Sequence, residues 1–297
     1  MRILNIGSIN IDHVYEVDHF VRPGETLSGL SYHSFAGGKG FNQSVALTRA
    51  GAATLHAGKV GKDAIWLLNR LGDEGVDTRH VVVCEAATGH AIIQVVPSGE
   101  NAIVLYGGAN RLITATDVIS ALSSCVAGDF LLLQNEISSV ALAMKKAHEK
   151  GMRIVFNPAP MAKDVRHYPL EFVDIFVLNE IEAEELTGKS QPAEVGARMR
   201  ELFPNAVTVL TQGKKGATYF DADSTHHQAA LLVDAVDTTA AGDTFIGYFV
   251  TVLMQTGDPA KALAMGCRAA AICVTRAGAA DSIPFAHELE TVSDITT

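Results

Sequence analysis

Asp237-Thr-Thr-Ala-Ala-Gly-Asp243 sets two acids either side of a run of small residues, and the apolar run Thr244 to Leu253 follows directly. The apolar run reads as a helix and the small residues as its entry. The first amides of a helix lack internal partners, and the helix dipole adds positive character there. Ala240, Ala241 and Gly242 have too little bulk to keep an anion from those amides, so the turn suits a phosphoryl group. Asp243 sits on the rim, where a carboxylate can accept the proton of an attacking hydroxyl. An anion hole beside a base is apparatus for phosphoryl transfer to an alcohol. The plainer alternative is an Asp cap on a buried helix.

Such a site needs elements to position it. Short apolar strands (Ile3–Gly7, Leu55–Val60, Phe130–Gln134, Arg153–Phe156, Ile175–Leu178, Val207–Thr211) alternate with helical patterns at Phe41–Arg49, Ala64–Leu71 and Val140–His148. Fully apolar strands separated by helices predict parallel strands covered on both faces, an α/β sheet with crossover helices. Residues 13–35 and 90–106 break the alternation with strands and turns, including a hairpin around Pro97 to Asn101. Two such excursions predict a small separate sheet that serves as a lid. No repeat or linker interrupts the chain, so residues 1–297 read as one domain.

Bulk composition narrows the function. The chain is 48% hydrophobic and 19% charged, as globular chains are. Its net charge of −10 argues against nucleic acid or an anionic membrane as partner. Cys84, Cys125, Cys267 and Cys273 lack metal-ligand spacing, and the N-terminal run is broken by Asn5, Ser8, Asn10 and Asp12. Buried thiols in a reducing compartment and a first strand, not a signal peptide, follow, so a cytoplasmic protein is expected.

Ligands of α/β sheets collect beyond the carboxyl ends of the strands. Asn10 and Asp12, Gly37-Gly-Lys-Gly-Phe-Asn42, Gln134-Asn-Glu136, Asn157-Pro-Ala-Pro160, Asn179-Glu-Ile-Glu182 and Thr211-Gln-Gly-Lys-Lys-Gly216 all fall at such ends. The Gly37 loop is not a Walker A loop, and no dinucleotide fingerprint follows the first strand. Its glycines let backbone approach a small ligand, and Asn10, Asp12, Lys39 and Asn42 offer donors and acceptors for a polyhydroxyl compound.

In their order, Gly7-Ser-Ile-Asn-Ile-Asp12, Gly37-Gly-Lys-Gly-Phe-Asn-Gln43, Asn157-Pro-Ala-Pro160, Asn179-Glu-Ile-Glu182 and Asp237 to Asp243 resemble the PfkB family of carbohydrate kinases, from about Ile3 to Pro284. Gly107-Gly-Ala-Asn110 leans toward its ribokinase branch. The resemblance implies a three-layer ribokinase-like fold and ATP-dependent phosphorylation of the primary hydroxyl of a pentose, most simply D-ribose to D-ribose 5-phosphate. Other sugars, deoxyribose or a nucleoside stay open as acceptors, as does an idle sugar-binding regulator.

By the same resemblance, Asp243 is the base and Ala240, Ala241 and Gly242 form the anion hole. Asn10, Asp12, Gly38, Lys39, Gly40, Asn42 and Glu136 hold the sugar. Asn179 and Glu182 help place Mg²⁺ and the phosphates, and Thr211, Gly213, Gly216 and Gly242 line the nucleotide side. A K⁺ site is implied at Asp237, Thr239, Cys273, Arg276, Gly278 and Ser282, largely through carbonyls. The apolar lid residues Ile92, Val95, Ile103 and Leu105 need cover, which suggests a homodimer through the lid. Three positions depart from the family pattern. Phe41 is expected to trim the sugar pocket or shift preference toward another pentose, Trp66 to sit at a helix start or near the lid, and Cys267 to bear on nucleotide selectivity.

Overall fold

The computed structural model describes residues 1–290. Its large sheet has nine strands, in the order β13-β12-β11-β10-β9-β8-β1-β4-β5. These are β1 (Ile3–Ile6), β4 (Thr54–Gly61), β5 (Asp77–Cys84), β8 (Phe130–Gln134), β9 (Arg153–Asn157), β10 (Ile175–Asn179), β11 (Val207–Thr211), β12 (Ala217–Phe220) and β13 (Thr225–Gln228). β5 to β11 along this order pair in parallel, and β12 and β13 add an antiparallel edge. The antiparallel hairpin and β5 lie outside the strands read from sequence. The small sheet, ordered β3-β2-β6-β7, comprises β2 (Asn10–Glu16), β3 (Ser31–Gly37), β6 (Gly89–Val95) and β7 (Asn101–Tyr106).

The helices are α1 (Lys39–Arg49), α2 (Ile65–Asp73), α3 (Ala115–Ser123), α4 (Val140–Glu149), α5 (Glu180–Thr187), α6 (Pro192–Leu202), α7 (Ala241–Thr256), α8 (Pro259–Val274) and α9 (Ala286–Glu290). Successive strand residues point to opposite faces. Leu4, Leu131, Leu133, Ile154, Phe156 and Phe176 therefore pack with α3, α4, α5 and α6 on one side. Ile3, Leu132, Val155, Ile175 and Val177 pack with α7 and α8 on the other. That is why the central strands read as continuous apolar runs. It yields the three-layer α/β sandwich with its mostly parallel sheet and small extra sheet, as the sequence led us to expect.

Parallel pairing puts the carboxyl ends of β1, β8, β9, β10 and β11 on one rim, and α1 starts at that rim and runs back along the sheet toward the start of β1. A Cβ on Gly40 would fall 2.4 Å from the Ser8 amide nitrogen and 2.6 Å from the Gly7 Cα. Only glycine lets the start of α1 press onto the end of β1. Farther along, Leu47 of α1 packs with Phe249 and Val250 of α7. Thus the first turns of α1 and α7 are brought side by side, each with polar residues facing the rim.

Candidate active site

The sugar-side residues named from sequence come together at this rim. Asn10 and Asp12 open β2. Asn110 donates to Asn10 Oδ1 at 2.7 Å and accepts from the Ile9 amide at 3.0 Å, so the Gly107–Asn110 motif aims Asn10. Glu136 Oε2 accepts from the Ser8 hydroxyl and, at 3.1 Å, from the Lys39 amide. Burial, with the charge of Glu136 nearby, pushes the Asp12 carboxyl up to about 7. In the opposite sense, the charge of Asp243, joined by Glu136 and Glu182, outweighs burial and raises Lys39 above its ordinary value. A Cβ on Gly37 would fall 2.1 Å from Asp12 Oδ2. Gly37→Ala is therefore expected to displace that carboxylate and raise the sugar KM about tenfold with ATP KM unchanged, read from initial rates.

Asp243 is buried on the first turn of α7. Asn42 Nδ2 donates to its Oδ2 at 3.2 Å and Gln43 Nε2 to its Oδ1 at 2.8 Å. Ala240 caps the helix in the left-handed region, at φ 60°. This is a strained conformation for a residue with a Cβ, the kind of strain that gathers at functional sites. The Ala241 amide closes a turn on Thr238 O at 3.3 Å, and a Cβ on Gly242 would meet open space. The helix start is therefore approachable at Gly242, beside the carboxylate.

Two cavities meet there. A polar one of about 220 Å³ is lined by Lys39, Asn157, Glu182 and Asp243 among others. A larger, mainly apolar one of about 580 Å³ runs past Gly213, Gly216, Phe245, Cys267 and Ala271. Asn179, Thr211, Thr238 and Gly242 line both. An apolar slot opening through a helix N-terminus into a polar pocket suits a flat ring with an anionic tail at one end and a hydroxylated acceptor at the other.

Asn179 and Glu182 form a capping box on α5. The Asn179 amide donates to Glu182 Oε2 at 3.0 Å, and the Glu182 amide donates to Asn179 Oδ1 at 2.8 Å. Burial raises the Glu182 carboxyl, against the hydrogen bond from Asn179 and the charge of Lys39. The residues expected around K⁺ also adjoin. Asp237 accepts from the Thr239 amide at 2.9 Å and the Gly278 amide at 3.0 Å. The Cys273 thiol lies 3.0 Å from the Ser282 hydroxyl and 3.7 Å from Thr239 O. Although burial opposes it, the Thr239 and Gly278 donors hold Asp237 below the usual carboxylate value. The Arg276 side chain is engaged in an ion pair with Glu288.

One expectation changes. Phe41 is fully buried among Ile9, Ile11, Ala36 and Val45. It belongs to the core under the small sheet and does not trim the sugar pocket, because on α1 it points away from Asn42. Trp66 stands on the first turn of α2 and is 39% exposed, so the helix-start placement holds. Cys267 lines the apolar cavity, and burial pushes its thiol up to about 11. Sequence reading gives no site role to Asn5, Gln43, Gln134 or Asn157; Gln43 holds Asp243 directly, and the other three amides bond to Gln43 or to Gln134 behind it.

A glycine-rich helix start over a strand rim, a buried acid on a second helix start and a cleft leading to it define a phosphotransferase of the sugar-kinase class. The chain belongs to the pfkB family of carbohydrate kinases, whose pattern matches residues 2–286. It is 40% identical over 292 residues to the ribokinase of Haemophilus influenzae, covering 95% of each chain. The solved ribokinase of Cryptococcus neoformans in complex with ADP superposes with a TM-score of 0.87 at 33% identity, covering 98% of this chain and 99% of that one. The ribokinase of Arabidopsis thaliana complexed with ribose and ATP gives a TM-score of 0.87 at 26% identity, covering 98% of each chain.

Proposed function

We propose that the protein transfers the γ-phosphoryl group of ATP to the primary hydroxyl of D-ribose, giving D-ribose 5-phosphate. The observation that carries this is Asp243, held by two side-chain amides in the polar pocket, beside the Gly242 backbone where that pocket meets the apolar cavity. Asn10, Asp12, Lys39, Asn42 and Glu136, with the Gly38 and Gly40 backbone, hold the sugar. Among the described residues Asn42 Oδ1 is buried with no partner, and a sugar hydroxyl would satisfy it. Adenine fits the apolar cavity beside Cys267, Thr211, Gly213 and Gly216.

The chemistry then asks for alignment and neutralisation more than covalent participation. Asp243 takes the proton of the attacking hydroxyl. Open amides at Gly242 and the start of α7, with Lys39, face the transferring group as negative charge builds on it. Asn179 and Glu182 suit Mg²⁺, which is bound through few carboxylates and through phosphate oxygens. The loops of Asp237, Thr239, Cys273, Arg276, Gly278 and Ser282 offer a carboxylate and carbonyls, the hard oxygen donors a K⁺ ion takes. These residues would hold such a cation next to the turn before α7, where it would add positive potential beside the anion hole.

The small sheet serves as the lid, within one domain. Its edge strand β7 exposes Ile103, Val104, Leu105 and Tyr106, each more than half to solvent. An apolar unpaired edge invites cover, and a second copy of the lid supplies it. Sedimentation is expected to give the mass of two chains, and Val104→Lys to shift it toward one; a wild-type monomer at working concentration overturns the dimer. Four free cysteines, three of them buried, suit a reducing compartment, the cytoplasm. Among the described residues no helix is long and apolar enough to cross a membrane.

The test is ADP release with Mg²⁺-ATP across ribose, deoxyribose, fructose and nucleosides, each in K⁺ and in Na⁺. Ribose turnover stimulated by K⁺ over Na⁺ is expected. Faster turnover on another acceptor moves the substrate and keeps the mechanism, and sugar binding without turnover makes the chain a regulator.

A further inference from the structure

Both oxygens of Asp243 are held by consecutive residues of α1, and the shorter bond, 2.8 Å, comes from Gln43. A side-chain amide can present oxygen or NH₂, two ends of nearly the same shape. Reversed, Gln43 would set an oxygen against the carboxylate. Its surroundings forbid that. The Gly40 carbonyl can only accept, and it takes Asn5 Nδ2 at 2.8 Å. Asn5 must therefore turn its oxygen the other way, where Gln134 Nε2 donates to it at 3.0 Å. The same nitrogen donates at 2.6 Å to Gln43 Oε1, which leaves the NH₂ of Gln43 facing Asp243. One backbone carbonyl thus sets three amides in series.

Asn5, Gln43 and Gln134 are at most 1% exposed, so bulk water does not replace any member. The second Asn5 donor goes to the Ser44 hydroxyl at 2.9 Å, which lies 2.7 Å from His56 Nδ1. Burial pushes His56 down to about 4, so the row ends on a neutral ring and adds no charge behind the carboxylate.

We propose that Gln43 is a positioning residue for Asp243, its donor end held toward the carboxylate by the Asn5 and Gln134 amides. The proposal rests on Asp243 being the base. Gln43→Glu keeps the length and the acceptor for Gln134 but sets an oxygen where the donor stood. It is expected to lower kcat ~10²-fold, the scale of a misplaced reacting group, with sugar and ATP KM within about threefold of wild type. Gln43→Met removes the donor without the opposing oxygen and is expected to cost roughly tenfold in kcat. Unchanged kcat in either folded variant, or a loss confined to KM, overturns the proposal.

Asp243→Asn is assayed alongside. If it too keeps its turnover, the base assignment has failed; if it is inactive while the Gln43 variants are normal, only the positioning role has. If neither Gln43 variant folds, a high-resolution crystal structure of the wild type decides. Gln43 Nε2 beyond about 3.5 Å from the Asp243 carboxylate overturns the proposal, and a hydrogen bond there supports it.

Discussion

Asp243→Asn is expected to lower kcat at least ~10²-fold, the contribution of a positioned general base, while sugar and ATP still bind. The substitution changes no shape. It replaces one acceptor oxygen by an NH₂ that faces the donors of Asn42 or Gln43, and it removes the negative charge that raises Lys39. The acceptor hydroxyl then has no group to take its proton, although the open helix start at Gly242 remains. Calorimetric binding of sugar and nucleotide, set beside initial rates of ADP release, separates the two effects. Near-normal turnover would remove Asp243 from the base role. A parallel loss of sugar binding would recast it as a ligand-holding group.

Asp12→Asn is expected to raise the sugar KM about 10- to 100-fold, the range for hydrogen bonds to a charged group, and to flatten its pH dependence. The Asp12 carboxyl is pushed up to about 7 from an ordinary 3.8 by burial and by Glu136. Ionised, it accepts sugar hydroxyls; protonated, it accepts them poorly. Wild-type sugar affinity should therefore improve as pH rises through about 7, and that of the variant should not. Folding stability runs the opposite way. Between about 4 and about 7 the folded protein holds a proton that the unfolded chain has lost, so stability is highest below that window and falls as pH rises through it. The Asn variant escapes this cost. Its melting temperature should match the wild type near pH 4 and exceed it at pH 8. Equal gaps at both values would show that Asp12 is not held protonated in the fold.

Much of this was readable from residue types. Continuous apolar strands separated by helical patterns gave the parallel sheet, since strands buried on both faces leave no polar alternation. The acid-bracketed turn marked a helix start because small residues and an Asp at its rim have few other uses together. What escaped was phase and depth. Phe41 and Asn42 are neighbours in sequence but a helical step of 100° apart, so one enters the core and the other faces Asp243. Gln134 and Asn157 read as polar strand ends and Asn5 as a break in an apolar run, but nothing in the sequence pairs the three. Only the paired geometry exposes them as one buried network. The β12–β13 edge escaped as well, because four-residue strands carry too little pattern.

Asn10 and Asp12 are the first residues of β2, a strand of the small sheet, whereas Asp243 belongs to a helix packed on the large one. On the proposed function the acceptor is therefore gripped from two bodies: Asn10 and Asp12 reach in from the small sheet, while Lys39 and Asn42 on α1 and Glu136 after β8 ride with Asp243. A sugar spanning both would tie the two sheets together, whereas a water molecule would touch one of them at a time. Hydrolysis of ATP without sugar is accordingly expected to be slow beside transfer to the sugar.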